Sequence, residues 1–191
     1  QAHRGFSFRQ EGPLDMRMDQ QEGQTASEVI NRMPLPMLTH VIRTYGEEPA
    51  AHRIAAAVVS RRKLRPITTT GELVEVIAEV MRWRGRIHPA TRTFQALRLT
   101  VNDELHVLER AIPEMLDCVA PGGRVAIVSF QSLEDRIVKR AFRGASARGI
   151  AALVTKRPLR PSTAEIERNP RSRSAKLRII ERVLYIKDIR V

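Results

Sequence analysis

The run VAIVSFQSLEDRIVKRAF, residues 125–142, changes character at Ser129. A β-branched apolar stretch gives way to two hydroxyls and an amide, Ser129, Gln131 and Ser132, immediately before a charged helical pattern. In open α/β sheets, ligands bind outside the carboxyl ends of the strands. These three polar groups are therefore candidates for facing a substrate. Three other stretches carry polar chemistry. FSFRQEGPLDMRMD supplies Phe6 and Phe8 for stacking, and Asp15 with Arg17 for hydrogen bonding; a purely structural loop is the alternative. In HPATRTFQALRLTVNDEL, His88 and Arg92 precede or open a helix, where unpaired amides also favour an anion. Gln95, Arg98 and Asn102 add a polar stripe there, and a well-capped core helix with solvated polar residues accounts for the pattern equally well. NPRSRSAK brings Arg171, Arg173 and Lys176 close together, as phosphate contacts require. A solvated charge run is the commoner reading of such a stretch. The five histidines show no metal-ligand spacing, and no metal site is expected; His40 and His52 belong on helix surfaces. Met16, Met18 and Trp83 read as packing residues.

The elements that must position these groups follow from caps and periodicity. Residues 1–24 are rich in Gly, Gln and charge and read as an irregular loop. TASE is a capping box from Thr25 to Glu28, opening a short helix that stops near Asn31 ahead of Pro34 and Pro36. Met37–Tyr45 fits a helix closed by Gly46, and another runs from about Glu48 to Leu64 with Pro49 in its first turn. TTGE, Thr69 to Glu72, opens a helix through about Trp83. Residues 25–86 thus form an all-helical block. From Thr91 a longer helix places Phe94, Leu97, Val101, Leu105 and Leu108 on one stripe. PGG at residues 121–123 is a turn, RVAIVSF a buried strand, and Ser132–Arg143 a helix with Leu133, Ile137, Val138 and Ala141 inward. A third capping box spans Ser162 to Glu165, NPRSRSAK is a loop, and LRIIERVLYI is a closing strand. Helix, turn, strand, helix and late strand make the second half of a doubly wound α/β domain.

Composition narrows the partner. Of 191 residues, 42% are hydrophobic, enough for a real core. Lys plus Arg number 33 against 21 Asp plus Glu, a net +12 that makes a polyanion the leading partner, nucleic acid ahead of a membrane surface. No window approaches the roughly 18 apolar residues of a membrane span. Cys118 is the single cysteine, which excludes a disulfide framework and a cysteine-based zinc site within the chain.

Taken in order, RGFSFRQEGPLDMRMD, PITTTGELVEVI, HPATRTFQALRLTVNDEL, PGGRVAIVSFQSLEDRIVKRAF and TKRPLRPSTAEIERNPRSRSAKLRIIERV resemble one family. It is the S-adenosylmethionine-dependent cytosine-N4 methyltransferases of small-subunit ribosomal RNA, the MraW/RsmH group with its mitochondrial relatives. The resemblance covers almost the whole chain. It implies an α/β fold with a class I (Rossmann-like) methyltransferase sheet, the N-terminal half of which is absent from this chain, and an all-helical insertion. On that pattern residues 1–24 belong to the core, 25–88 form the helical, RNA-recognising insertion, and 89–191 are the C-terminal half of the core. The cofactor, S-adenosyl-L-methionine, is held in the family by a glycine-rich loop and by acidic and aromatic residues expected upstream of Gln1, so no cofactor-binding residue is expected here. The implied reaction methylates the exocyclic N4 of a decoding-centre cytosine. The alternative is a catalytically inactive relative that binds ribosomal RNA during small-subunit assembly.

By the same resemblance, Asp15, Ser129 and Gln131 are the candidate catalytic groups, with Phe6 or Phe8 as a stacking surface. Arg17, His88, Arg92, Arg98, Asn102, Ser132, Arg136, Arg171, Arg173 and Lys176 are the candidate RNA contacts. The family usually has histidine where Gln131 stands, and a longer linker at Gly144–Ala152. Implied partners are small-subunit ribosomal RNA and the assembling small subunit, with no membrane. The mitochondrial matrix is the expected location, and bacterial cytoplasm the alternative.

Overall fold

The computed structural model describes residues 2–81 and 88–183. The predicted helix end at Trp83 and the end of the predicted closing strand, residues 184–186, lie outside them. The chain divides into two compact units, residues 1–104 and 105–191. The helix that follows His88, grouped in the sequence reading with the later residues, falls in the first unit.

In the first unit Thr25 caps α1 (Ala26–Arg32). Its hydroxyl accepts from the Glu28 N–H at 3.1 Å, and Glu28 Oε2 accepts from the Thr25 N–H at 3.0 Å. Next comes α2 (Leu35–Gly46), where the predicted closing role of Gly46 is corrected. The left-handed residue is Glu47 (φ 49°), and Gly46 is the last helical residue. A Cβ on Gly46 would stand 2.6 Å from the Arg92 carbonyl oxygen, so the glycine serves a close helix approach instead. The third helix, α3 (Ala51–Leu64), starts later than Glu48. That residue is buried outside the helix, and its Oε1 accepts from the Ala50 N–H at 2.9 Å. The second capping box, Thr69 with Glu72, opens α4 (Thr70–Val80). The single long helix predicted from Thr91 is two: α5 (Ala90–Val101) and α6 (Glu104–Cys118), separated at Asn102 and a left-handed Asp103 (φ 48°). Leu38, Ile54, Leu73 and Leu97 are wholly buried where α2 packs on α5 and α3, and α3 on α4. Each such side chain contributes roughly 2 kcal/mol.

The second unit contains β1 (Arg124–Ser129), α7 (Ser132–Ala147), β2 (Ala151–Leu153), α8 (Thr163–Arg168) and β3 (Lys176–Arg182). The sheet order is β1-β3-β2, both pairings antiparallel, with Ser129 opposite Lys176 and both Val125 and Leu153 opposite Ile180. Thus β1 and β2, joined through α7, run parallel to each other with β3 slotted between them. The expected doubly wound half is corrected to this extent: every strand pairing among the described residues is antiparallel. The predicted burial of RVAIVSF is corrected too. Val125 and Ser129 are buried, whereas Val128 and Phe130 are 52% and 53% exposed. One face of the strand meets Val138, Phe142 and Ala145 of α7, and the alternation of a strand puts its other residues outward. The PGG turn forms as expected: the Gly122 N–H donates to the Arg182 carbonyl at 2.7 Å, and the Arg182 N–H to the Gly123 carbonyl at 2.8 Å. The Arg182 guanidinium also collects the carbonyls of Leu116, Asp117 and Val119, orphan acceptors at the end of α6. Ser162 caps α8 through the Glu165 N–H at 3.2 Å, and NPRSRSAK is not all loop, since 170–174 make a 3-10 turn.

Candidate functional site

The sequence-predicted residues gather into one cluster in each unit. In the first, Gly5 makes the turn possible: its φ is +69°, and an added Cβ would lie 2.3 Å from the Pro13 carbonyl oxygen. The loop then returns to donate from Met16 N–H to the Arg4 carbonyl at 2.9 Å. Asp15 and Arg17 form a bidentate pair, Nε to Oδ1 at 2.7 Å and Nη2 to Oδ2 at 2.9 Å, and the Arg17 N–H donates to Oδ1 at 3.1 Å. The hydrogen-bonded Arg17 guanidinium holds the Asp15 carboxyl below the usual carboxylate range. Asp15 is therefore ionised near neutral pH. It can accept hydrogen bonds there, and an ionised carboxylate has acceptor sites left after two.

Asn102 is the clamp of this loop. Its Oδ1 accepts from the Met18 N–H at 2.7 Å, and its Nδ2 donates to the Met16 carbonyl at 2.8 Å. That task explains why α5 stops where it does. Met16 is buried in the left-handed region (φ 63°), and Met18, predicted as packing, is 56% exposed. Asn102→Ala removes both bonds and leaves backbone groups half-buried. A loss of about 1–3 kcal/mol is expected, read as faster hydrogen exchange at Met18 with little change in the α3 amides.

The aromatic groups are engaged locally. Phe8 stacks on His88 with ring centroids 4.7 Å apart and meets Phe94 edge-on, and the Arg4 guanidinium lies 5.2 Å from the Phe6 ring centroid. His88 accepts from the Ala90 N–H at 3.2 Å through Nδ1, capping α5. Arg98 makes a bidentate pair with Glu104 at 2.8 and 3.0 Å, and Arg92 lies 3.6 Å from Glu48.

The second cluster surrounds the end of β1. Ser129 is buried, with its hydroxyl donating to the Lys176 carbonyl at 3.4 Å. Phe130 projects into solvent. Glu134 Oε2 accepts from the N–H groups of Phe130 and Gln131, at 3.0 and 3.2 Å, which fixes the strand-to-helix turn. Gln131 is the N-cap of α7, its side chain set in a capping box with Glu134, and its buried Oε1 makes no full hydrogen bond there. Ser132 and Arg136 are exposed on the first turns of α7, and Arg171 and Arg173 on the 3-10 turn that follows α8. Lys176 is turned to Asp135 at 3.6 Å.

Asp135 and Arg178 are what sequence reasoning missed here. The buried Arg178 donates to both Asp135 oxygens, at 2.7 and 3.2 Å. Burial opposes ionisation of Asp135, but Arg178 and then Lys176 outweigh it and hold the carboxyl below its ordinary value. A lone arginine amid LRII was the signal available.

Residues 1–183 match the MraW methylase family. The chain belongs to that family. Within it, the chain is 48% identical to the ribosomal RNA small subunit methyltransferase H of Lawsonia intracellularis, over 96% of this chain and 65% of that protein. It is 53% identical to the protein of the same name from Synechococcus elongatus, over 96% of this chain and 61% of that protein. A third, from a Geobacter species, is 47% identical over 94% of this chain and 64% of its own length. The chain thus spans less than two thirds of these relatives. MraW methylases depend on S-adenosylmethionine. Among the described residues no group of His, Cys, Asp and Glu could hold a metal, and no helix is long and apolar enough to cross a membrane.

Proposed function

We propose that the protein methylates the exocyclic N4 of a decoding-centre cytosine in small-subunit ribosomal RNA, acting on the assembling small subunit. The observation that carries the reading is the match of residues 1–183 to the MraW methylase family. At the end of β1 the Gln131 amide oxygen, set in a capping box with Glu134, is the acceptor we assign to the exocyclic amine of cytosine. Exposed Phe130 beside it offers a face for an unstacked base. The N4 lone pair is delocalised into the ring, so the base must be held in line and its amine bonded by acceptors; positioning can supply about 7–11 kcal/mol. Gln131 and Ser129 are the acceptors we assign to that task. S-adenosylmethionine supplies the methyl group when bound, and the roles assigned to this chain concern the base and the RNA alone.

On this reading the β1-β3-β2 sheet is the C-terminal part of a class I methyltransferase sheet, further strands pairing along the edge of β1 that β3 leaves free. Residues 1–24 and 89–191 belong to that core and 25–88 to a helical insertion. The bacterial origin of the three relatives supports bacterial cytoplasm over the mitochondrial matrix. Gln131 also favours a second reading, an assembly factor that binds ribosomal RNA without methyl transfer, because an amide cannot take up a proton. The test uses the protein as its source expresses it, with labelled S-adenosylmethionine and unmodified small-subunit particles. Label recovered as N4-methylcytidine is expected. Titration showing no cofactor binding at millimolar concentration would sink the enzyme and leave the assembly factor.

A further inference from the structure

Positive charge is concentrated in the second unit. Residues 105–183 carry 16 Lys or Arg against eight Asp or Glu, whereas residues 25–81 carry seven against six. In the helical block most of the cations are engaged internally. Arg32, Arg61 and Arg65 pair with Glu28, Glu79 and Glu72, and Arg62 donates to the Ile30 and Met33 carbonyls. The segment KRPLRP, residues 156–161, differs. Lys156, Arg157 and Arg160 are all exposed, and none has an acidic partner among the described residues.

The segment is also anchored. Leu159 and Leu177 exchange both backbone hydrogen bonds, each 2.9 Å, at the start of β3. On the other side of β3, Ser129 pairs with Lys176. The basic segment therefore lies at the same end of the sheet as Ser129 and Gln131, about two strand spacings, or roughly 10 Å, away. Pro158 and Pro161 fix their own φ and hold Arg157 and Arg160, which precede them, in extended backbone. Three cations are thus presented on a stiff arm that needs little ordering on binding. An ordinary solvated charge run has neither the anchor nor the stiffness.

We infer that Lys156, Arg157 and Arg160 form a phosphate-backbone contact surface for the RNA strand whose base enters the end of β1. The helical block contributes few phosphate contacts. This deepens the proposed function and rests on RNA being the substrate. The test is the salt dependence of binding to a transcript of the decoding-centre segment. It compares the complete protein with Lys156→Gln/Arg157→Gln/Arg160→Gln and with the control Arg43→Gln/Arg53→Gln/Lys63→Gln. Losing three phosphate contacts is expected to weaken binding at least tenfold near ~0.1 M salt and to lower the slope of log K against log salt by about two. The control keeps the wild-type slope, and both variants keep wild-type cofactor binding. Wild-type slope and affinity in the first variant, or a preference of the wild type for phosphatidylserine vesicles over RNA, would overturn the inference. A wild type that methylates the transcript while the first variant binds it normally removes this surface alone. A wild type that binds no RNA removes the proposed function with it.

Discussion

Replacing Asp135 by Ala is expected to destabilise the second unit by about 3–5 kcal/mol, because it leaves the Arg178 guanidinium buried and unpaired. Arg178 is 7% exposed, in the central strand of the sheet, and opposite Ile127 in the register. Water cannot replace the two hydrogen bonds it donates to Asp135. Hydrogen exchange at the Ile179 and Ile180 amides measures the loss locally. The double variant Asp135→Leu/Arg178→Leu should recover at least about half of it, since the penalty lies in the orphaned charge more than in the missing attraction. The pair also has a pH signature. Folding depresses the Asp135 pKa, so its contribution is complete above the unfolded value of about 3.9. It is lost as pH falls through the lower folded value. The gap between wild type and Asp135→Asn should therefore narrow in acid and stay constant from about pH 5 to 8. A gap that widens in acid would refute the assignment.

That pairing also marks the limit of what the sequence makes legible. Signals confined to four residues read true: the Thr25 and Thr69 boxes, and the PGG turn with its Gly123 N–H on the Ala120 carbonyl at 2.8 Å, depend on near neighbours in the chain. Interactions between distant segments do not show. Asp135 and Arg178 are 43 positions apart, and nothing in SLEDR or LRII indicates that one holds the other. The hydrophobic stripe continues through Leu105 and Leu108, so periodicity alone cannot see that Asn102 is drawn to the Met16–Met18 backbone and ends the helix. Gly46 carries the composition of a helix terminator, yet its missing Cβ answers to Arg92 on another helix. The candidate site shows the same division. Ser129 and Gln131 are legible as a polar strand end, whereas the burial of the Gln131 amide oxygen emerges only once α7 is packed beside it.

Gln131→His is the substitution with the largest expected gain in rate. The glutamine can position the amine through its amide oxygen, but it cannot accept the proton that leaves N4 as the methyl group arrives. A histidine at the same turn retains an acceptor nitrogen and titrates near neutrality. Positioned general bases contribute about 10²–10⁴-fold, and a rise of about 100-fold in single-turnover methyl transfer is expected. The half-buried setting of the side chain disfavours the charged imidazolium, so the gain should be complete by about pH 7 and fall away in acid as the ring protonates. Affinity for the RNA transcript should change less than the rate, since the hydrogen bond to the base is kept. A variant with unaltered rate at every pH would mean that proton removal does not limit the reaction. A wild type and variant that both bind RNA and transfer nothing would select the assembly-factor reading, in which Gln131 holds a base with no reaction to follow.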